Sequence, residues 1–119
     1  MYRILLVEDD TEFRASLVQV LRTAYPDAAI MEAGTGREAL AAMAVGGTDL
    51  VLMDIGLPDI GGLQLTREIH ANHPGTRVIV LTGHNLPEYR QAAEEAGASA
   101  YVWKGESSTV LLELVQASV

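Results

Sequence analysis

Polar residues that can bind metal or phosphate stand directly after runs of aliphatic residues. Glu8, Asp9 and Asp10 follow Ile4–Val7, Asp54 follows Leu50–Met53, Thr82 follows Val78–Leu81, and Lys104 follows Ala100–Trp103. If these runs are neighbouring strands, carboxylates, a hydroxyl and an ammonium meet at one rim. Carboxylates crowded in this way repel one another and stay ionised only beside a cation or with shifted pKa values. Mg²⁺ is the expected guest, because it takes hard oxygen ligands in octahedral geometry at about 2.0–2.1 Å and keeps several waters. A carboxylate beside that metal is a nucleophile for phosphorus, and Asp54 is the residue so placed. The metal and Lys104 would neutralise charge developing on the phosphoryl oxygens, while the Thr82 hydroxyl would hydrogen-bond one of them.

The elements that must position these residues are legible in the spacing of apolar side chains. The four runs are continuous rather than alternating, which predicts strands buried on both faces. A fifth strand is expected at Ala28–Met31; its small residues place it near a sheet edge. Between the runs lie helical periods. Phe13, Leu17, Val20, Leu21 and Ala24 form one stripe, and Thr35 with Glu38 reads as a capping box ahead of Ala39, Leu40 and Met43. Leu65 and Ile69 mark a third helix. Pro87 and Gly97 bracket a fourth, and Val110, Leu111, Leu114 and Val115 stripe a fifth. Asp10 is expected to cap the first helix rather than bind metal. Five β–α units with no hairpin signal imply an α/β fold with a parallel sheet, right-handed crossovers and helices on both faces. Ligands of such sheets bind beyond the carboxyl ends of the strands, where the strand order reverses.

The 119 residues suit a single domain, 1–119, and 49% apolar with 20% charged residues is the composition of a globular protein. The chain has no cysteine, which removes disulfides, thiolate nucleophiles and Cys-based zinc sites. A net charge of −8 disfavours direct contact with nucleic acid or anionic membrane. No apolar run approaches the ~20 residues of a membrane helix, and Met1-Tyr2-Arg3 leads into a strand rather than a signal sequence, so a cytoplasmic location is expected.

Taken together, Ile4–Asp10 (ILLVEDD), Leu52–Pro58 (LMDIGLP) with Gly62, Val80–Gly83 (VLTG) and Ala98–Lys104 (ASAYVWK) resemble the receiver domains of two-component response regulators over essentially the whole chain. The resemblance implies a flavodoxin-like strand order, 2-1-3-4-5. It makes Asp54 the phosphoacceptor, Glu8 and Asp9 the metal-binding acid pair, and the Gly56 carbonyl a further Mg²⁺ ligand. Thr82 and Lys104 then bind the phosphoryl group, and Tyr101 is the aromatic that follows Thr82 when the switch is thrown. The implied donor is a sensor histidine kinase or phosphotransfer protein, expected to dock near Phe13, Arg14 and Leu17. The face of the fourth helix, fifth strand and fifth helix would form a homodimer or contact an output. Lys104-Gly105 replaces the commoner Lys-Pro, suggests a looser or differently shaped loop, and is more like the group whose output is a LuxR-like helix-turn-helix domain. DNA would be bound only through that further domain. Gly56 and His84 occupy positions that tune loss of the acyl phosphate in this family.

Other readings differ in chemistry. A haloacid-dehalogenase-type Mg²⁺ phosphatase places its Asp-x-Asp nucleophile after the first strand, whereas Asp54 follows the third and Gly56 supplies no general acid. A flavin module would need phosphate donors where Glu8–Asp10 would repel phosphate. A stand-alone phosphorelay receiver and a pseudo-receiver acting only as an interaction module share the fold. His70 and His73 have no carboxylate or cysteine at ligand spacing and read as surface residues, while Trp103 reads as a packing residue.

Overall fold

Each aliphatic run becomes a strand whose alternate side chains enter opposite cores, which is why the runs do not alternate with polar residues. The computed structural model describes residues 2–84, 86–106 and 108–118. In chain order the elements are β1 (Arg3–Val7), α1 (Thr11–Ala24), β2 (Ala29–Ala33), α2 (Gly36–Val45), β3 (Leu50–Asp54), α3 (Gly62–Asn72), β4 (Arg77–Thr82), α4 (Pro87–Glu95), β5 (Ala100–Trp103) and α5 (Ser108–Ser118). All strand pairs are parallel and the sheet order is β2-β1-β3-β4-β5. Leu5, Val7, Val51, Met53, Val78 and Val80 pack with α2, α3 and Ala93 of α4 on one face. Ile4, Leu6, Leu50, Leu52, Ile79 and Leu81 pack with α1 and α5 on the other. The chain moves outward from β1 to β2, then returns past β1 to β3. The order therefore reverses between β1 and β3, and the carboxyl ends of these two strands carry the acidic residues.

Local expectations hold with small shifts. β2 lies at the sheet edge and starts and ends slightly later than Ala28–Met31. In α1 the buried stripe is Leu17, Val18 and Leu21; Ala24 is exposed, so the face toward the sheet is rotated about one position from the expected one. Asp10 caps α1, accepting the N–H groups of Glu12 and Phe13 at 3.1 Å each. Thr35 accepts the Glu38 N–H at 3.1 Å, while the Glu38 carboxylate reaches back to the Gly34 N–H rather than that of Thr35. Pro87 opens α4, and Gly97 follows its end at φ 96°, a conformation glycine adopts without strain.

Candidate functional site

Glu8 directly follows β1, its N–H bonded to the Ala33 carbonyl at 2.9 Å, and its side chain is fully buried. Asp54 ends β3 and is 5% exposed, whereas Asp9 is open to solvent. One carboxylate oxygen from each of Glu8, Asp9 and Asp54 lies within 4.8 Å of the others. Lys104, beyond β5, is held by its own N–H bonded to the Thr82 carbonyl at 2.7 Å. Its ammonium contacts Glu8 Oε1 closely and sits 3.3 Å from Asp54 Oδ1. The same ammonium lies 4.9 Å from the centre of the Phe13 ring, a cation–π contact that fixes it from the α1 side. The Gly56 N–H donates to Asp54 Oδ1 at 3.2 Å. Oδ1 of Asp54 is engaged by the protein in this way.

Burial pushes the Glu8 carboxyl up to about 7, against the opposing pull of Lys104 and of the Asp10 N–H, and the nearby Asp54 charge adds to the rise. For Asp9 burial is the largest single influence and raises the pKa, but hydrogen bonding with Asp54 and Glu8 and the Lys104 charge together outweigh it and hold the carboxyl below the usual range. Burial lowers the Lys104 pKa, but Glu8 and Asp54 outweigh it and the ammonium is held above its ordinary value. The site thus carries three carboxyl groups against one ammonium. Glu8 Oε1 is buried and makes no well-angled hydrogen bond, its neighbour being the Lys104 ammonium. Hard oxygen donors, excess negative charge and an under-satisfied buried oxygen fit a divalent cation of the Mg²⁺ type.

A pH dependence follows from Glu8. Its folded-state pKa lies above the ordinary 4.5, so the folded protein binds more protons than the unfolded chain between about 4.5 and 7. In metal-free buffer, folding stability is expected to fall as pH rises through that window. Added Mg²⁺ should offset the loss at the upper end. Thermal melts of wild type and Glu8→Gln from pH 5 to 8, with EDTA or with Mg²⁺, check this; equal slopes for the two proteins would remove Glu8 as the cause.

Thr82 is fully buried at the end of β4. Its Oγ1 accepts the His84 N–H at 3.0 Å, which turns the loop after β4 back onto the hydroxyl. Tyr101, on the neighbouring β5, is 7% exposed and donates its hydroxyl to the His84 carbonyl. Arg90 of α4 lies 4.8 Å from the Tyr101 ring centre, and the His84 ring stacks on Tyr89 at 5.3 Å. Thr82, His84, Tyr101 and α4 therefore form one connected set.

Of the sequence-expected site residues, Glu8, Asp9, Asp54, Gly56 and Lys104 come together directly. Thr82 and Tyr101 sit side by side through His84. In the loop after Lys104 a Cβ on Gly105 would lie 2.4 Å from the Trp103 ring, and the Glu106 N–H returns to the Trp103 carbonyl at 2.9 Å. Trp103 packs as expected, against Gly105. Phe13, Arg14 and Leu17 do not form an open patch. Leu17 is buried, and Arg14 donates to the Glu8 carbonyl at 2.7 Å while pairing with Glu32 at 3.2 Å. Arg14 is thus a brace of the acidic loop that sequence spacing did not reveal, although Gly34 hinted at it: a Cβ there would lie 2.9 Å from the guanidinium. Asp59 was also missed. It sits in the β3–α3 loop and accepts the Gly36 N–H at 2.7 Å and the Arg37 N–H at 3.0 Å.

Among the described residues no helix is long and apolar enough to cross a membrane. Comparison with known proteins gives a family match and consistent relatives. Response regulator UvrY of Escherichia coli K12 is 30% identical over 116 residues, covering 98% of this chain and 53% of that protein, so the chain spans about half the length of the curated relatives it matches. TrrA, a response regulator protein of Thermotoga maritima solved in complex with Mg²⁺-BeF, is 33% identical with a TM-score of 0.90 and full coverage of both chains. A two-component response regulator of the LuxR family from Aurantimonas is 32% identical, with a TM-score of 0.89 over 97% of this chain and 82% of that one. The model of the response regulator receiver domain matches residues 4–116, which include every strand end described above, and the chain belongs to that family.

Proposed function

We propose that residues 1–119 form one phosphoacceptor switch of a two-component system, working in the cytoplasm. It takes a phosphoryl group from a histidine of a sensor kinase or phosphotransfer protein onto Asp54. The observation that carries this reading is the convergence of Glu8, Asp9, Asp54 and Lys104 at the β1/β3 switch point, with Asp54 in reach of both acids and the ammonium.

In the reaction an Asp54 carboxylate oxygen forms a bond to phosphorus as the phosphorus–nitrogen bond to the donor imidazole breaks, and that ring nitrogen keeps the electron pair and takes a proton. Gly56 N–H and Lys104 hold Oδ1, which leaves Oδ2 as the attacking atom. Glu8, Asp9, Asp54 and the Gly56 carbonyl would hold Mg²⁺, which would supply positive charge against the phosphoryl oxygens. Lys104 neutralises a further oxygen, and Thr82 turns its hydroxyl from His84 toward the new phosphoryl group. That turn releases the His84 N–H, and the loop position is passed to Tyr101 through the His84 carbonyl. The α4, β5 and α5 face then carries the state to a second copy or to an output domain. A DNA-binding output of the LuxR type is supported by Lys104-Gly105 and by the Aurantimonas relative, and the length of UvrY leaves room for such a domain. The chain catalyses only its own phosphorylation and dephosphorylation; Gly56 provides no acid for turnover of free esters.

The test is intact-mass measurement after incubation with acetyl phosphate, with Mg²⁺ and with EDTA. One phosphoryl mass should appear with metal and not without it. An unchanged mass in both conditions would overturn the reading, and steady release of phosphate at enzymatic rates would favour the phosphatase alternative.

A further inference from the structure

We infer that Asp59 is a positioning residue for the metal site, acting by clamping the Asp54–Gly62 loop to the first turn of α2. This inference rests on the functional reading above.

The loop from Ile55 to Gly61 carries Gly56, whose N–H already bonds Asp54. At its near end the Ile55 N–H is bonded to the Leu81 carbonyl at 3.3 Å, and at its far end the Gly62 N–H returns to the Ile55 carbonyl at 3.3 Å. Both are long bonds, and neither fixes the middle of the loop. Asp59 does so. Its Oδ1 accepts the Gly36 N–H at 2.7 Å and the Ile60 N–H at 2.9 Å, and its Oδ2 accepts the Arg37 N–H at 3.0 Å.

The Gly36 and Arg37 amides open α2, where unpaired N–H groups and the helix dipole favour a carboxylate. The close approach is also built into Gly36. A Cβ there would lie 2.9 Å from Ile60 Cβ, 3.0 Å from Leu65 Cδ1 and 3.2 Å from Asp59 Oδ1. The helix start has no side chain so that the loop can lie on it.

α2 therefore has two caps of different kinds. Thr35 belongs to the helix's own entry and bonds the Glu38 N–H. Asp59 comes from the loop beside the phosphoacceptor, 23 residues from Gly36 in sequence. Loss of either removes a helix cap, but only loss of Asp59 frees the loop that bears Gly56.

The experiment compares Asp59→Ala, Asp59→Asn and Thr35→Ala with wild type by calorimetric titration with MgCl₂ and by thermal melts. Asp59→Ala is expected to weaken Mg²⁺ binding about tenfold, the lower end of effects seen when groups that orient metal ligands are removed. Asp59→Asn keeps an oxygen for the Gly36 amide and should recover part of the loss. Thr35→Ala should melt at a similarly reduced temperature yet bind Mg²⁺ as wild type does. Unchanged Mg²⁺ affinity in Asp59→Ala, or an equal loss in Thr35→Ala, would overturn the inference and leave the functional reading standing. Failure of the wild-type protein to bind Mg²⁺ would instead overturn both.

Discussion

Asp54→Asn is expected to take up no phosphoryl group from acetyl phosphate and to unfold a few degrees above the wild type in metal-free buffer. The first effect is chemical. An amide oxygen is a poor nucleophile and the product could not be an acyl phosphate, so no mass gain should occur. The second effect separates this reading from a plain turn residue. Asp54 shares a 4.8 Å cluster with Glu8 and Asp9, and the Lys104 ammonium beside it also contacts Glu8. Removing the Asp54 charge relieves its repulsion with Asp9 and with the ionised fraction of Glu8 and forfeits part of one attraction, while asparagine can still accept the Gly56 N–H through its oxygen. A gain of about 1 kcal/mol, or roughly 3–6 °C in a domain of this size, is the expected balance. Mg²⁺ should stabilise the wild type and do much less for the variant. Melts with and without metal check the sign, and a variant less stable than wild type without metal would show that the acids are not in mutual repulsion.

Gly62→Ala is expected to destabilise the fold by at least about 3 kcal/mol, at the upper end of overpacking effects. The new Cβ would lie 2.2 Å from the Asp54 carbonyl oxygen, 2.5 Å from Ile55 Cα and 2.9 Å from Asp54 C. All three are backbone atoms at or just past the end of β3, so no rotamer change relieves the clash. Either α3 moves away from β3 or the end of β3 shifts, taking Asp54 with it. Gly61 supplies the control, since nothing lies within 4 Å of a Cβ there and its φ of −61° is open to any residue. Gly61 is the N-cap of α3, where alanine is less favoured than glycine, and this offsets the gain through the unfolded chain, so Gly61→Ala should change stability by about 1 kcal/mol or less. Urea unfolding of the two variants should differ sharply; similar midpoints would refute the close approach of α3 to the strand end.

Strand identities, helix order and the acidic rim were legible because each depends on local pattern. A strand buried on both faces must be apolar at successive positions, and the first polar residue after it marks the strand's end. Asp10 and Thr35 were legible as caps for a similar reason: the donors they satisfy lie two or three residues away. The rotation of α1 was less so. Apolar periodicity defines a stripe over 100° wide, and which side of it faces the sheet is fixed by packing, which buried Val18 and left Ala24 exposed.

By itself, then, the sequence determined which residues reach the rim and, by resemblance to receiver domains, the part each is proposed to play. Tertiary structure alone decided how they are held. Arg14 braces the Glu8 carbonyl, and Asp59 caps a helix that begins 23 residues before it. The Asp59 contact joins the β3–α3 loop to the start of α2, and its geometry exists only once β1, β2 and β3 lie side by side. The same holds for the shifted pKa of Glu8, since burial and the approach of Lys104 from the far end of the chain set it together.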